Sequence, residues 1–184
     1  FALTYLCALV PVGLLAVGST APGLLTLPAK LLSGRGGEQR ARIARHEAAH
    51  LLVGYACGLP VDSLVVDGPC PSVVFAGESS GPIDFNAAQP LLVTGMAGLV
   101  GEYVKYGDAE GGRNDLMAMQ STLSRVRPPL KGSEQQGYTR WAAMAAWSYL
   151  VGLDAKLDAV ADALLRRAPL SEIVAIIEDR GAGE

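Results

Sequence analysis

The histidines constrain this chain before anything else does. It has two, His46 and His50, and both fall in the run His46-Glu47-Ala48-Ala49-His50. The surrounding stretch, Glu38 to Cys57, is rich in Ala, Arg, Glu and Leu and lacks proline, which predicts a helix. Gly58 suits the position just past its end, and Pro60 prevents continuation. Residues i and i+4 share a helix face, so two imidazoles there can reach one Zn²⁺ at about 2.0–2.1 Å each. Glu47 stands beside that face, where it can take a proton from an activated water without being a ligand. A catalytic zinc takes three protein ligands and an open position. No third histidine exists, and Cys57, seven residues past His50, is too far along the helix. The third ligand must then be a carboxylate that folding returns to this helix. Asp62, Asp67, Glu78, Asp84, Glu102, Asp108, Glu110 and Asp115 are all candidates, and composition does not choose among them.

The length of 184 residues suffices for one compact domain with an appendage. Charged residues are only 18% of the chain, below the usual ~25%, which predicts contact with lipid or a partner. Residues Phe1 to Ala29 carry no charged side chain. A helix needs about 20 apolar residues to cross a bilayer core, so 1–29 is expected to be a transmembrane segment. Pro11 and Gly13 would bend it, and Pro22-Gly23 would end it. A signal-peptide core or a hydrophobic docking arm is the alternative. Lys30, Arg35, Arg40, Arg42 and Arg45 follow, against Glu38 alone. That bias places the next domain on the cytoplasmic, stromal or matrix side. Residues 30–39, with their Gly34-Arg35-Gly36-Gly37 run, read as a linker. The first residue is Phe1 rather than Met, so a preceding segment is expected. A net charge of −3 gives no reason to expect nucleic acid. Cys7, Cys57 and Cys70 form no CxxC pair and suggest no disulfide framework, in keeping with a reducing compartment.

The remaining pattern is mainly α with a small β element. Val61 to Asp67 and Ser72 to Ala76 read as strands, with the turn Gly68-Pro69-Cys70-Pro71 between them. Helices are expected at Asn86 to Tyr106, with Gly95, Gly98 and Gly101 for close packing, and at Asn114 to Val126, ended by Pro128-Pro129. Ser133 to Val151, Asp154 to Arg167 and Leu170 to Asp179 complete a helical tail. Trp141, Met144, Trp147 and Tyr149 are either ordinary core or a docking face. Asp115 stands near a predicted helix start, where the dipole favours a carboxylate whether it ligates or caps. Glu102 is either part of the site, a buried helix acid paired with an arginine, or a solvated group.

The stretch ARHEAAHLLVGYACGLPVDSLVV resembles the peptidase domain of the FtsH-like, ATP-dependent zinc metalloproteases. So do AGLVGEYVKYGDAEGGRNDLMAMQSTL, from Ala97 to Leu123, and the tail LDAKLDAVADALLRRAPLSEIVAIIED. The resemblance covers 40–180 in separated blocks in the same order, and implies an FtsH-type zinc peptidase domain. In that family an aspartate after an asparagine, opening a helix, is the third zinc ligand. It maps to Asp115, preceded by Asn114 and 65 positions after His50. The family's helix glutamate maps to Glu102; Glu102 and Asn114 are expected just outside the ligands. Two departures stand out. Family members usually carry glycine where this chain has Ala49, whose methyl could crowd a neighbouring helix or the substrate. And no GxxxxGK[ST] phosphate loop occurs, so the family's ATPase module is missing.

The resemblance therefore implies a membrane-anchored zinc metalloendopeptidase acting on polypeptide substrates without an ATPase of its own. Zn²⁺ would be its cofactor, Glu47 its base, and an extended peptide would pair with Val61 to Asp67. The alternative is a non-proteolytic, FtsH-like subunit of a larger membrane protein complex; a membrane adaptor without metal is a third reading. An organellar or bacterial inner membrane is implied, with the chloroplast thylakoid or inner envelope favoured.

Overall fold

The computed structural model describes residues 36–65, 71–76 and 81–179. The expected transmembrane segment, most of the linker, Asp67, Glu78 and most of the turn before Pro71 lie outside the described residues. Among the described residues, no helix is long and apolar enough to cross a membrane. The chain divides at Arg40 into two units, and everything below belongs to the second, Ala41–Glu184, apart from the first turn of α1.

The architecture is mainly helical with one two-stranded sheet. In order, α1 is Gly36–Ala56, β1 Val61–Val65, β2 Ser72–Phe75, α2 Phe85–Tyr106, α3 Arg113–Arg125, α4 Gly132–Leu150, α5 Asp154–Leu165 and α6 Leu170–Glu178. α1 ends as its sequence predicts. Gly58 has φ +74°, its N–H donates to the Tyr55 carbonyl at 3.0 Å, and the Leu59 N–H donates to the Gly54 carbonyl at 2.9 Å. This 5→2, 6→1 pair satisfies two of the last carbonyls and needs a left-handed residue that glycine adopts without strain. The chain then turns into β1, which pairs antiparallel with β2 in the register Leu64↔Val73. α2 opens at Asp84, whose carboxylate accepts the Ala87 N–H at 3.0 Å. Asp84 is thus a helix cap, not a metal ligand.

α1 is buried along Ala44, Ala48, Ala49, Leu51, Leu52 and Val53 and packs with Val93 and Ala97 of α2, Ala146 and Leu150 of α4, and apolar side chains of α5 and α6. A second cluster joins Ala88 and Leu92 to Met119, Leu123, Val126 and Ala142, and so ties α3 and α4 to α2. Arg45, 1% exposed, is one of several polar residues in this interior. Its Nε donates to the Gly101 carbonyl at 2.9 Å, and its guanidinium bridges Asp154 and Asp158 of α5. A buried arginine is tolerable because every face of its fork meets an acceptor.

The α1–α2 crossing answers the question raised by Ala49. A Cβ placed on Gly101 would lie 2.5 Å from the Ala49 methyl. The crowding expected of Ala49 is absent because the facing residue has no side chain. On α4, Ala142, Ala146 and Leu150 form the buried face. Trp141, Met144, Trp147 and Tyr149 are all exposed, so ordinary core is not their role.

The methyl at Ala49 and the hydrogen at Gly101 should behave as a pair. Gly101→Ala is expected to cost about 1–3 kcal/mol by overpacking, and Ala49→Gly alone about 1 kcal/mol through helix propensity. Adding Ala49→Gly to Gly101→Ala should recover stability. Urea denaturation of the four species checks this; strictly additive losses would show that the two residues do not contend for the same space.

Candidate metal centre

Three elements bring the site together. α1 presents His46 and His50 one turn apart, with ring centroids at 4.7 Å and planes at 74°. α2 crosses beneath them, and α3 delivers Asp115 in its first turn. The Asp115 Oδ2 lies 2.9 Å from His46 Nε2, and its Oδ1 lies 3.6 Å from His50 Nε2. The two Nε2 atoms are 3.0 Å apart. Among the described residues this is the group of His, Cys, Asp and Glu side chains placed to hold a metal ion.

The opposite edges of the rings decide what these contacts mean. His46 Nδ1 lies 2.7 Å from Glu102 Oε1, and His50 Nδ1 lies 2.7 Å from the Thr94 carbonyl oxygen. A carbonyl only accepts, and so does an ionised carboxylate. Both Nδ1 atoms therefore carry hydrogen and donate outward, which leaves both Nε2 lone pairs facing each other and Asp115. Three acceptors then converge with no donor between them. Such a cluster needs a proton or a cation at its centre. Oriented imidazoles backed by a carboxylate and a carbonyl are the usual support of a metal site. The spacings are of the right order. Two ligands at tetrahedral angles around zinc stand about 3.3 Å apart; the two Nε2 atoms are 3.0 Å apart, and one atom from each of the three side chains lies within 4.8 Å of the others. Space is kept by Gly98 of α2, where a Cβ would collide with the Nε2 atoms of both histidines.

Glu102 is 2% exposed and fully engaged. Besides His46, it accepts Arg42 Nε at 2.6 Å and the Glu110 N–H at 3.0 Å, both on Oε2. Of the roles open to it in the sequence, the structure shows a buried helix acid paired with an arginine, and it also meets the His46 ring. Glu47 lies beside the imidazoles and accepts the Val73 N–H of β2 at 3.1 Å. It borders a cleft of about 270 Å³ shared with His50, Asp115 and Asn114. Ser72, Val73 and Phe75 of β2 form part of its wall. The strand bordering the site is thus β2, not the Val61-to-Asp67 strand expected to receive a peptide.

The electrostatics follow from burial and from these neighbours. Burial pushes the Glu47 carboxyl above its ordinary value, and the two histidines and the Val73 N–H offset this only in part. For His46, burial disfavours the charged form, but Asp115 and Glu102 outweigh it and raise its pKa. Asp115 is also penalised by burial, yet its contacts with both histidines hold it well below the usual carboxylate range. Glu102 is lowered against its burial by Arg42, the Glu110 N–H and His46.

The other sequence candidates lie elsewhere. Asp62 is exposed on β1, Asp108 pairs with Arg42, and Glu110 turns its side chain to solvent within 3.7 Å of Arg42. Asn114 lines the cleft beside Asp115. The acceptor role of Thr94 belongs to its backbone and has no sequence signal. Arg42 did leave one, since it precedes His46 by one helical turn. No protein-family model and no curated protein matches the chain.

The site should leave a signature in pH. The folded pKa of His46 lies above its unfolded value of about 6.5, so its stabilising contribution without metal is complete below that pH and is lost as pH rises through the folded value. Glu47, raised by burial, loses stability in the same direction as it ionises. Asp115 runs the other way, contributing above about pH 4 and losing its contribution on acidification through its depressed folded value. In metal-free protein, the melting-temperature difference between wild type and Asp115→Asn should therefore be largest between about pH 4 and 6.5 and shrink at higher pH. A difference that keeps growing above pH 8 would contradict the His46–Asp115 pairing.

Proposed function

We propose that this chain is a membrane-anchored, zinc-dependent metalloendopeptidase whose catalytic domain is FtsH-like. The convergence of His46 Nε2, His50 Nε2 and the Asp115 carboxylate, with both Nδ1 atoms turned outward, carries the proposal. In this reading His46, His50 and Asp115 would hold Zn²⁺ beside the cleft that Glu47 borders. Bound there, zinc would supply Lewis acidity to a scissile carbonyl and lower the pKa of water toward ~7.

The chain's own residues supply the rest. Glu47 accepts a proton from the attacking water and returns it to the departing amine, so the carboxylate is regenerated at the end of the cycle. Its place on the cleft wall beside the imidazoles, held by the Val73 N–H, suits a group that must both take and give a proton. Glu102 and the Thr94 carbonyl hold the imidazoles in the tautomer that points Nε2 inward. β2 offers a strand edge beside Glu47 on which an extended polypeptide can lie. The uncharged run from Phe1 to Ala29 and the arginines after it support attachment to an organellar membrane, with the domain on the stromal, matrix or cytoplasmic side. A chloroplast membrane is the setting favoured for this reading.

A second reading has one observation in its favour. Trp141, Met144, Trp147 and Tyr149 are exposed on α4, as on a non-proteolytic FtsH-like subunit docked in a larger membrane complex.

The test combines zinc content with cleavage of unfolded casein. Wild type should hold one zinc per chain and cleave in a chelator-sensitive way, while Glu47→Gln keeps the zinc and loses about 10²–10⁴-fold in rate. Undiminished cleavage by Glu47→Gln would remove Glu47 from the mechanism. One zinc per chain with no cleavage by wild type would favour the docked subunit.

A further inference from the structure

Arg42 lies four residues before His46 on α1 and so shares its face. Its guanidinium uses each edge of its fork. Nε donates to Glu102 Oε2 at 2.6 Å; Nη2 donates to the Asp108 carbonyl at 2.9 Å and to Asp108 Oδ1 at 2.6 Å; Nη1 lies 3.7 Å from Glu110 Oε1. The guanidinium carbon also sits 4.8 Å above the centre of the Tyr106 ring. One side chain thus grips both the carboxylate that orients His46 and the loop between α2 and α3. That loop leads within a few residues to Asp115, and the Glu110 N–H returns from it to the same Oε2 of Glu102 that Arg42 holds.

We propose that Arg42 is a positioning residue of the metal centre, setting metal affinity by fixing Glu102 against His46 Nδ1 while tethering the loop that delivers Asp115. The inference rests on the zinc-site reading above. The physical reason is geometric. Glu102 Oε1 can meet His46 Nδ1 only while Oε2 is held on the far side, and the strongest holder there is a charged fork. Without it the buried carboxylate keeps a single backbone donor on that oxygen and gains freedom to turn. His46 then loses the partner that aims its Nε2 at the metal position. Lysine does not replace this function, because an ammonium cannot meet Glu102, Asp108 and an aromatic face from one plane.

The experiment uses the full chain and measures Zn²⁺ affinity by competition with a chromophoric chelator, alongside the visible spectrum of the Co²⁺-loaded protein. Arg42→Met should weaken zinc binding by about 10–100-fold, the range for loss of an outer support, and change the cobalt bands, which report ligand geometry rather than overall stability. Arg42→Lys should recover only part of the affinity, and serves as the decisive variant if Arg42→Met does not fold. Combined with Glu102→Gln, Arg42→Met should add less than its own single-variant loss, because only its tether to Asp108 remains to be broken. Wild-type affinity and spectrum in Arg42→Met, full recovery by Arg42→Lys, or additive losses in the double variant would each overturn the proposal while leaving the zinc site intact. Absence of zinc and cobalt binding in wild type would overturn the site itself and this inference with it.

Discussion

Three lone-pair-bearing groups, His46 Nε2, His50 Nε2 and the Asp115 carboxylate, point at one spot in this molecule. Every other feature of the site is arranged around that concentration of negative potential. It favours the charged form of His46, so that Asp115 and Glu102 raise its pKa although burial opposes the charge. A divalent cation would relieve it more fully, by meeting all three groups at once. The two states compete for the same atoms, so metal binding and proton release are linked. The outward partners of the rings matter as much as the inward ones. If either Nδ1 lost its acceptor, its ring could present N–H instead of a lone pair, and the convergence would lose one of its acceptors.

Small side chains make such convergence possible. The imidazoles sit where the backbones of α1 and α2 approach closely, with Asp115 reaching them from α3, and small residues line the crossing: Ala48 and Ala49 on α1, and Ala97, Gly98 and Gly101 on α2. Gly98 leaves the volume in which the ligand atoms meet, and Gly101 leaves the volume taken by the Ala49 methyl. Arg45, next to His46 in sequence, secures the same crossing by donating to the Gly101 carbonyl and reaching α5. Adjacent residues on α1 thus divide the labour, one locking the helix pair and the next using the geometry so fixed.

Much of this was legible in the sequence because local physics governs it. The helix end at Gly58, the small β element and the succession of helices follow from glycine, proline and apolar periodicity. His46, Glu47 and His50 were readable because a helix fixes their relative directions. Asp115 was not readable from local physics. Eight carboxylates were open to the role, and the resemblance alone singled out this one; the fold places it against both rings. Glu102 could not be assigned from composition because its partners come from two places distant in sequence: Arg42 and His46 on α1, and the Glu110 N–H in the loop after α2. Asp84 resembled a ligand candidate only until its capping bond was seen. Helix spacing did not reveal which face of α4 would be covered, since small alanines rather than the large aromatics turned inward. The transmembrane expectation falls on residues outside those described.

The bond from the Val73 amide to Glu47 bears on how a polypeptide could meet β2. Ala76 donates toward β1, at the Pro60 carbonyl, so by alternation the amides of residues 71, 73 and 75 face the cleft side. Position 71 is proline and offers no hydrogen, and Val73 has committed its hydrogen to the carboxylate. This border is therefore short of donors and comparatively rich in carbonyl oxygens. An incoming backbone would have to contribute most of the N–H groups, which favours chains free of proline over the few residues that lie along it.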